Sequence, residues 1–91
     1  MYRVSANVRS VHSLDGAIVL DVEQGKMFQL NPAGARILEL LKRGSDEAGL
    51  VDQISQEFGV DPEIAEQDVH EFVGALKGQR LLEESILDRK R

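Results

Sequence analysis

The run KMFQLNPAGARILELL, residues 26 to 41, constrains the fold more than any other part of the chain, because its hydrophobic period changes partway through. Lys26, Met27, Phe28, Gln29 and Leu30 read as a short strand. Asn31 followed by Pro32 reads as a helix cap with proline in the first helical position, where its missing N–H costs nothing. A strand runs straight into a helix.

The chain before this junction is strand-rich. Val4, Ala6, Val8 and Val11 suggest a first strand with imperfect alternation, and Leu14-Asp15-Gly16 supplies a turn in which glycine provides positive φ. Ala17 to Val22 is β-branched and apolar enough for a central strand. Glu23-Gln24-Gly25 closes a hairpin onto Lys26–Leu30, a three-residue loop that suits a bulged turn. After Asn31 the pattern is helical. Ala33, Ile37, Leu38, Leu40 and Leu41 give one apolar face up to Gly44, which is placed for a left-handed cap. Ser45 or Asp46 is available to cap a second helix, but Gly49 is a poor interior residue, so regular helix is expected from near Leu50, with Leu50, Val51, Ile54 and Phe58 on one face until Gly59. Asp61-Pro62 repeats the cap-plus-proline signal, and Ala65, Val69, Phe72, Val73 and Leu76 follow at helical spacing until Gly78. Leu81 and Leu82 form a short apolar return against the core. The expected fold is α+β, a three-stranded antiparallel sheet followed by three helices, in one domain whose core runs from roughly residue 4 to roughly residue 84.

At 91 residues, 42% of them hydrophobic, the chain has material for one modest core and no room for a buried enzyme cavity. It has no cysteine, and His12 and His70 are far apart, so a structural metal site is not expected and no cofactor is implied. No signal-peptide region opens the sequence and no apolar run reaches membrane-spanning length, so a cytoplasmic location is expected. The layout is also that of a winged helix-turn-helix, which makes a DNA-binding regulator the alternative reading. Charge argues against it. The net charge is −5, and the last helix, which would enter the groove, carries Glu63, Glu66, Asp68 and Glu71 after Asp61, against a single Lys77. The basic tail Arg89, Lys90, Arg91 is expected to fray.

Residues for catalysis are not assembled. Ser45, Ser55 and Ser85 have no histidine near in sequence, and His70 beside Glu66 and Glu71 is an ordinary exposed helix pairing. No glycine-rich phosphate loop is present. What the chain offers instead is a strand edge: a meander leaves edges with unpaired backbone groups, and proteins blunt such edges unless they are meant to be filled. An extended peptide added along Lys26–Leu30 would gain main-chain hydrogen bonds, with the helix beginning at Pro62 as the other wall of a groove. Met27, Phe28 and Leu30 as plain core and edge residues is the competing reading.

The runs DGAIVLDVEQGKMFQLNPAGARILELL and VDQISQEFGVDPEIAEQDVHEFVGAL, with the final LL, resemble the PqqD-like family of RiPP recognition elements over about residues 8 to 83. The most specific pieces are Phe28-Gln29-Leu30-Asn31 followed by Ala33-Gly34-Ala35, and the spaced set Ile54, Phe58, Asp68, Val69, Phe72 and Leu76. The resemblance implies a non-enzymatic protein that binds the N-terminal leader of a ribosomally made precursor peptide as an added strand, and presents the precursor to a modifying enzyme. It implies contacts from Lys26, Met27, Phe28, Gln29 and Leu30, and from the last helix at Ile64, Asp68, Val69, Phe72, Val73 and Leu76. Phe72 and Leu76 are more often core than ligand contact, and Asp68 more often a surface acid or a partner for a neighbouring backbone N–H; Ile64 and Val73, at the two margins of the apolar stripe, are the better candidates for a partly exposed groove wall. The hairpin LDVEQGKMFQLN and the loop Gly44 to Gly49 are closer to free-standing relatives in other pathways, lasso peptides among them, than to proteins of pyrroloquinoline quinone synthesis. The partner enzyme is then a leader peptidase or a radical SAM enzyme.

Overall fold

A computed structural model describes residues 2–84. Strand β1 (Tyr2–Val4) is followed by β2 (Val8–Ser13), β3 (Gly16–Asp21) and β4 (Lys26–Leu30), then by helices α1 (Pro32–Lys42), α2 (Glu47–Phe58) and α3 (Pro62–Gly78), and by β5 (Leu82–Glu84). β2, β3 and β4 form the expected antiparallel meander, in that order. The single irregular strand expected from Val4 to Val11 is two strands. A turn at Ala6-Asn7 separates them, with the Asn7 N–H donating to Ser5 Oγ at 3.2 Å and the Val8 N–H to the Ser5 carbonyl at 3.2 Å. Ala6 breaks the alternation because it is a turn residue. β1 then pairs antiparallel with β5, Val4 opposite Leu82, so the apolar return at Leu81 and Leu82 is a buried strand start. The tail at residues 89–91 lies outside the described residues.

The meander turns one face to the helices. Ala17, Val19 and Asp21 of β3 are buried there, whereas Ile18 and Leu20 point to the other side. Val19 packs into one cluster with Leu38 and Leu41 of α1, Leu50 and Ile54 of α2, and Val69 and Val73 of α3. Burying side chains of this size contributes about 1.5–3 kcal/mol each.

Helix α2 begins at Glu47, three residues before the expected start at Leu50, because the Asp46 carboxylate accepts the Gly49 N–H at 2.8 Å. A cap of this kind is worth about 1 kcal/mol, enough to offset the propensity cost of Gly49. The connection between α1 and α2 is correspondingly shorter than the expected Gly44 to Gly49. Helix α3 runs to Gly78 as expected, but Gly78 is its last helical residue and not a left-handed cap. The left-handed residue is Arg80, at φ 63°, where the Arg80 N–H reaches the Lys77 carbonyl at 3.0 Å and the Leu81 N–H reaches Leu76 at 2.9 Å. This is a Schellman closure with arginine where glycine is favoured, held by the buried Leu81. Arg80→Gly is therefore expected to stabilise the chain by roughly 0.5–1 kcal/mol, read as a higher urea midpoint; a lower midpoint would show that the arginine side chain contributes more than its backbone strain costs.

Asp21 is buried and closes the β3–β4 hairpin. Its Oδ1 accepts the N–H groups of Glu23 at 3.0 Å and Gln24 at 3.1 Å, and its Oδ2 accepts from Gln24 Nε2 at 2.6 Å. Asp21 pairs with Lys26 across a loop of four residues, Val22 to Gly25, where three were expected. The Gln24 N–H is the main reason the Asp21 carboxyl sits below its ordinary range, opposed in part by desolvation. Hydrogen bonds from Arg36 likewise depress Glu39 and Glu57, Arg36 holding Glu57 through Nε and Nη2 at 2.9 Å each and thereby tying α1 to α2. Carboxyls depressed on folding stabilise the fold above the unfolded-state carboxylate range and lose that contribution as pH falls through their folded values. Stability is expected to drop as pH falls from about 5 toward 3. Asp21→Asn should make that drop shallower in urea titrations at each pH, and an unchanged slope would exclude Asp21 from it.

Candidate functional site

The order β2-β3-β4 makes β2 and β4 the margins of the sheet. The β2 margin is overlaid by cations: Arg9 Nη1 donates to the carbonyls of Ala6 at 3.0 Å and Val8 at 3.2 Å, and Lys42 Nζ donates to Ser10 Oγ at 2.6 Å. Such charges discourage further pairing. The β4 margin opens instead on a cavity.

Alternation along β4 sets that cavity. Phe28 and Leu30 lie opposite Val19 and Ala17, on the helix side, and are half-buried, while Met27 and Gln29 are exposed on the other face. A cavity of about 350 Å³, lined mostly by apolar surface, lies between Met27 to Leu30 of β4 and the C-terminal half of α3, where Phe72, Ala75, Leu76 and Gln79 line it; Val19 and Leu81 complete it. Phe72 and Ala75 of α3 and Gln79, the residue that caps it, form one row at spacings of three and four. The Gln79 carbonyl also accepts from Gln24 Nε2 at 3.4 Å, so the hairpin loop touches the end of this wall.

The strand-to-helix junction positions both walls. Asn31 is extended, at φ −74° and ψ 174°, and its Oδ1 accepts the Gly34 N–H at 2.7 Å, which stops β4 and starts α1 within one residue. Gly34 must be small: a Cβ there would lie 2.9 Å from Phe72 Cε1. The Phe72 ring thus rests on the first turn of α1, and the residue that ends the strand is coupled through Gly34 to the aromatic wall of the cavity.

Of the residues expected to contact a ligand, Met27, Phe28, Gln29, Leu30, Phe72 and Leu76 come together around this cavity. Lys26 sits at the hairpin end of β4, opposite Asp21. Val69 and Val73, 0% and 3% exposed, belong to the core cluster with Leu50 and Ile54 of α2 and present no surface to a ligand. Of the two margins of the apolar stripe, that of Val73 is therefore closed. Ile64, 51% exposed, and Asp68 continue the row of Phe72 toward the helix N-terminus, outside the cavity lining. Ala75, Gln79, Val19 and Leu81 were missed. Ala75 could have been found by carrying the spacing of three onward from Phe72.

Unlike Ser45, Ser55 and Ser85, Ser10 does neighbour a histidine: its Oγ lies 3.1 Å from His12 Nε2, near the surface of β2. These are same-face neighbours two apart on a strand, the ordinary contact of such pairs. His70 Nδ1 lies 3.3 Å from Glu47 Oε2, away from the cavity.

Comparison with known proteins locates this architecture. The PqqD family, described as coenzyme PQQ synthesis protein D, matches residues 16–82. TbiB1 in complex with the TbiA(beta) leader peptide is 35% identical, with a TM-score of 0.83 over 91% of this chain and 96% of that one. Lasso peptide synthetase B1 complexed with the leader peptide is 25% identical, with a TM-score of 0.80 over 91% and 98% of the two chains. The solution structure of the PqqD truncation of Methylobacterium extorquens PqqCD, a stand-alone RiPP recognition element, is 22% identical and shares the fold, with a TM-score of 0.74 over 91% and 88%. No curated protein sequence matches the chain.

Proposed function

Since this chain belongs to the PqqD family, we propose that it is a non-catalytic adaptor that captures the leader segment of a ribosomally synthesised precursor peptide as an additional strand on β4. Its task is to hold the precursor for a modifying enzyme; the likeness to lasso peptide synthetase B1 supports a lasso-type pathway, for which the family resemblance implies a leader peptidase, over one with a radical SAM enzyme. The observation that carries the reading is the coincidence of a free sheet margin with an apolar cavity beside it: backbone groups of β4 supply affinity for any extended chain, and the cavity supplies selection among side chains. Lys26 to Leu30, Phe72, Ala75, Leu76 and Gln79 are the proposed contacts. Asp68 and Ile64 lie where a longer leader would continue along α3. No helix among the described residues is long and apolar enough to cross a membrane, and a cytoplasmic site of action is part of the proposal.

A titration tests it. A fluorescein-labelled synthetic leader from the precursor reading frame beside this gene, a scrambled version and a DNA duplex are followed by anisotropy. Saturable binding of the leader alone is expected. Binding of the duplex alone, weakening steeply with salt, would make the winged-helix regulator the better account.

A further inference from the structure

The groove between β4 and α3 accounts for only half of an added strand. Successive side chains of an extended chain point to opposite faces of a sheet, so every second residue of a peptide paired with β4 projects over the outer face, away from the helices. On an antiparallel sheet with one solvated face, that outer face is ordinarily polar. Here it is not. Met27 is 70% exposed and Ile18 48%, and Leu20 lies opposite Met27. Beside the β4 margin, Ile18, Met27, Phe28 and Gln29 bound a second, shallower cavity of about 260 Å³. Met27, Phe28 and Gln29 line both cavities, and because one reaches Val19 on the helix side of β3 and the other Ile18 on its outer side, the two flank the same margin from opposite faces.

Resting on the strand-addition reading, we infer that the outer cavity is a second leader subsite, which takes a large apolar or aromatic side chain from the residues that alternate with those filling the helix-side groove. The spacing between strands, about 4.8 Å, sets its size: a side chain on the added strand meets Met27 and Gln29 on its neighbour and must be long to reach Ile18 one strand further. The ligand is then an extended segment apolar on both faces, and a segment with one polar face is rejected because its polar side chains would be desolvated against Met27 and Ile18. Val11, exposed on the same face, lies a further strand away, opposite Ile18, and is out of reach.

The test uses the labelled leader with Met27→Glu, Ile18→Asp and Val11→Asp, each checked for an unchanged urea midpoint. Met27→Glu and Ile18→Asp should each weaken binding about tenfold, and Val11→Asp less than about twofold. Wild-type affinity in both of the first two variants would overturn the subsite, and an equal loss in all three would assign the whole face to some other contact and overturn it as well. A second arm leaves the protein untouched: aspartate is placed at each consecutive leader residue in turn. Losses at adjacent positions are expected, whereas losses only at every second position would reduce the ligand to its helix-side half. If the wild-type chain does not bind the leader saturably, it is the strand-addition reading that fails.

Discussion

Ala75→Phe is expected to abolish leader binding while leaving the chain folded. Ala75 is exposed on α3 between Phe72 and Gln79, and its side chain forms part of the cavity wall without entering the core. A phenyl ring added there fills space that the proposed ligand needs. The folding cost is limited to helix propensity, about 0.5 kcal/mol, because no core contact is removed. The binding loss should be about a hundredfold or more, since the leader forfeits a buried apolar side chain of its own, about 3 kcal/mol, and must still find room for its backbone at β4. Anisotropy with the labelled leader and a urea melt of the same sample separate the two effects. A folded variant with wild-type affinity would mean that the leader does not use this cavity.

Gly16→Ala is expected to unfold the domain or come close to it. Gly16 adopts φ +133°, a conformation closed to residues with a side chain, and a Cβ there would lie 1.9 Å from the Leu30 carbonyl oxygen and 3.1 Å from the Asn31 carbonyl carbon. Relief requires β3 and β4 to part at the register pair Ala17 and Leu30, where the junction begins. Backbone strain plus a lost end of the sheet should cost roughly 4 kcal/mol, a large share of the stability of a domain this small. Gly25→Ala is the control: Gly25 also has positive φ, +71°, but an added Cβ meets nothing within 4 Å, so about 1 kcal/mol is expected. Equal shifts in the two urea midpoints would show that the contact with Leu30 is not the reason for glycine at position 16.

The elements most easily read in the sequence are those with local signals. Asn31-Pro32 and Asp61-Pro62 mark helix starts through local signals, and both helices begin there, but only Asn31 caps with its side chain; Asp61 makes no side-chain cap hydrogen bond, so at α3 the proline carries the signal. Asp46 reads as a possible cap and Gly49 as an argument against helix there; the hydrogen bond between the two shows that the glycine is the residue being capped. Long-range features were less legible. The pairing of β1 with β5 joins residues about eighty positions apart, and no local pattern in Tyr2–Val4 announces it. The two margins of the α3 stripe are equivalent by periodicity, and only the packing of Val73 against the core distinguishes them. Gly16 reads as a turn residue, and Gly34 stands out only as part of Ala33-Gly34-Ala35. Their close approaches to Leu30 and Phe72 exist only once the sheet and α3 are in place.

Hydrogen exchange of the β4 amides, with and without the leader, tests strand addition most directly, because the reading requires new main-chain hydrogen bonds on a margin that no other strand among the described residues pairs with. Side chains and N–H directions both alternate along an antiparallel strand, so saturating leader should protect alternate amides within Lys26–Leu30, leaving Val8–Ser13 on the opposite margin unchanged. Saturable binding without new protection on β4, or with protection on β2 instead, would contradict capture of the leader as a fourth strand beside α3.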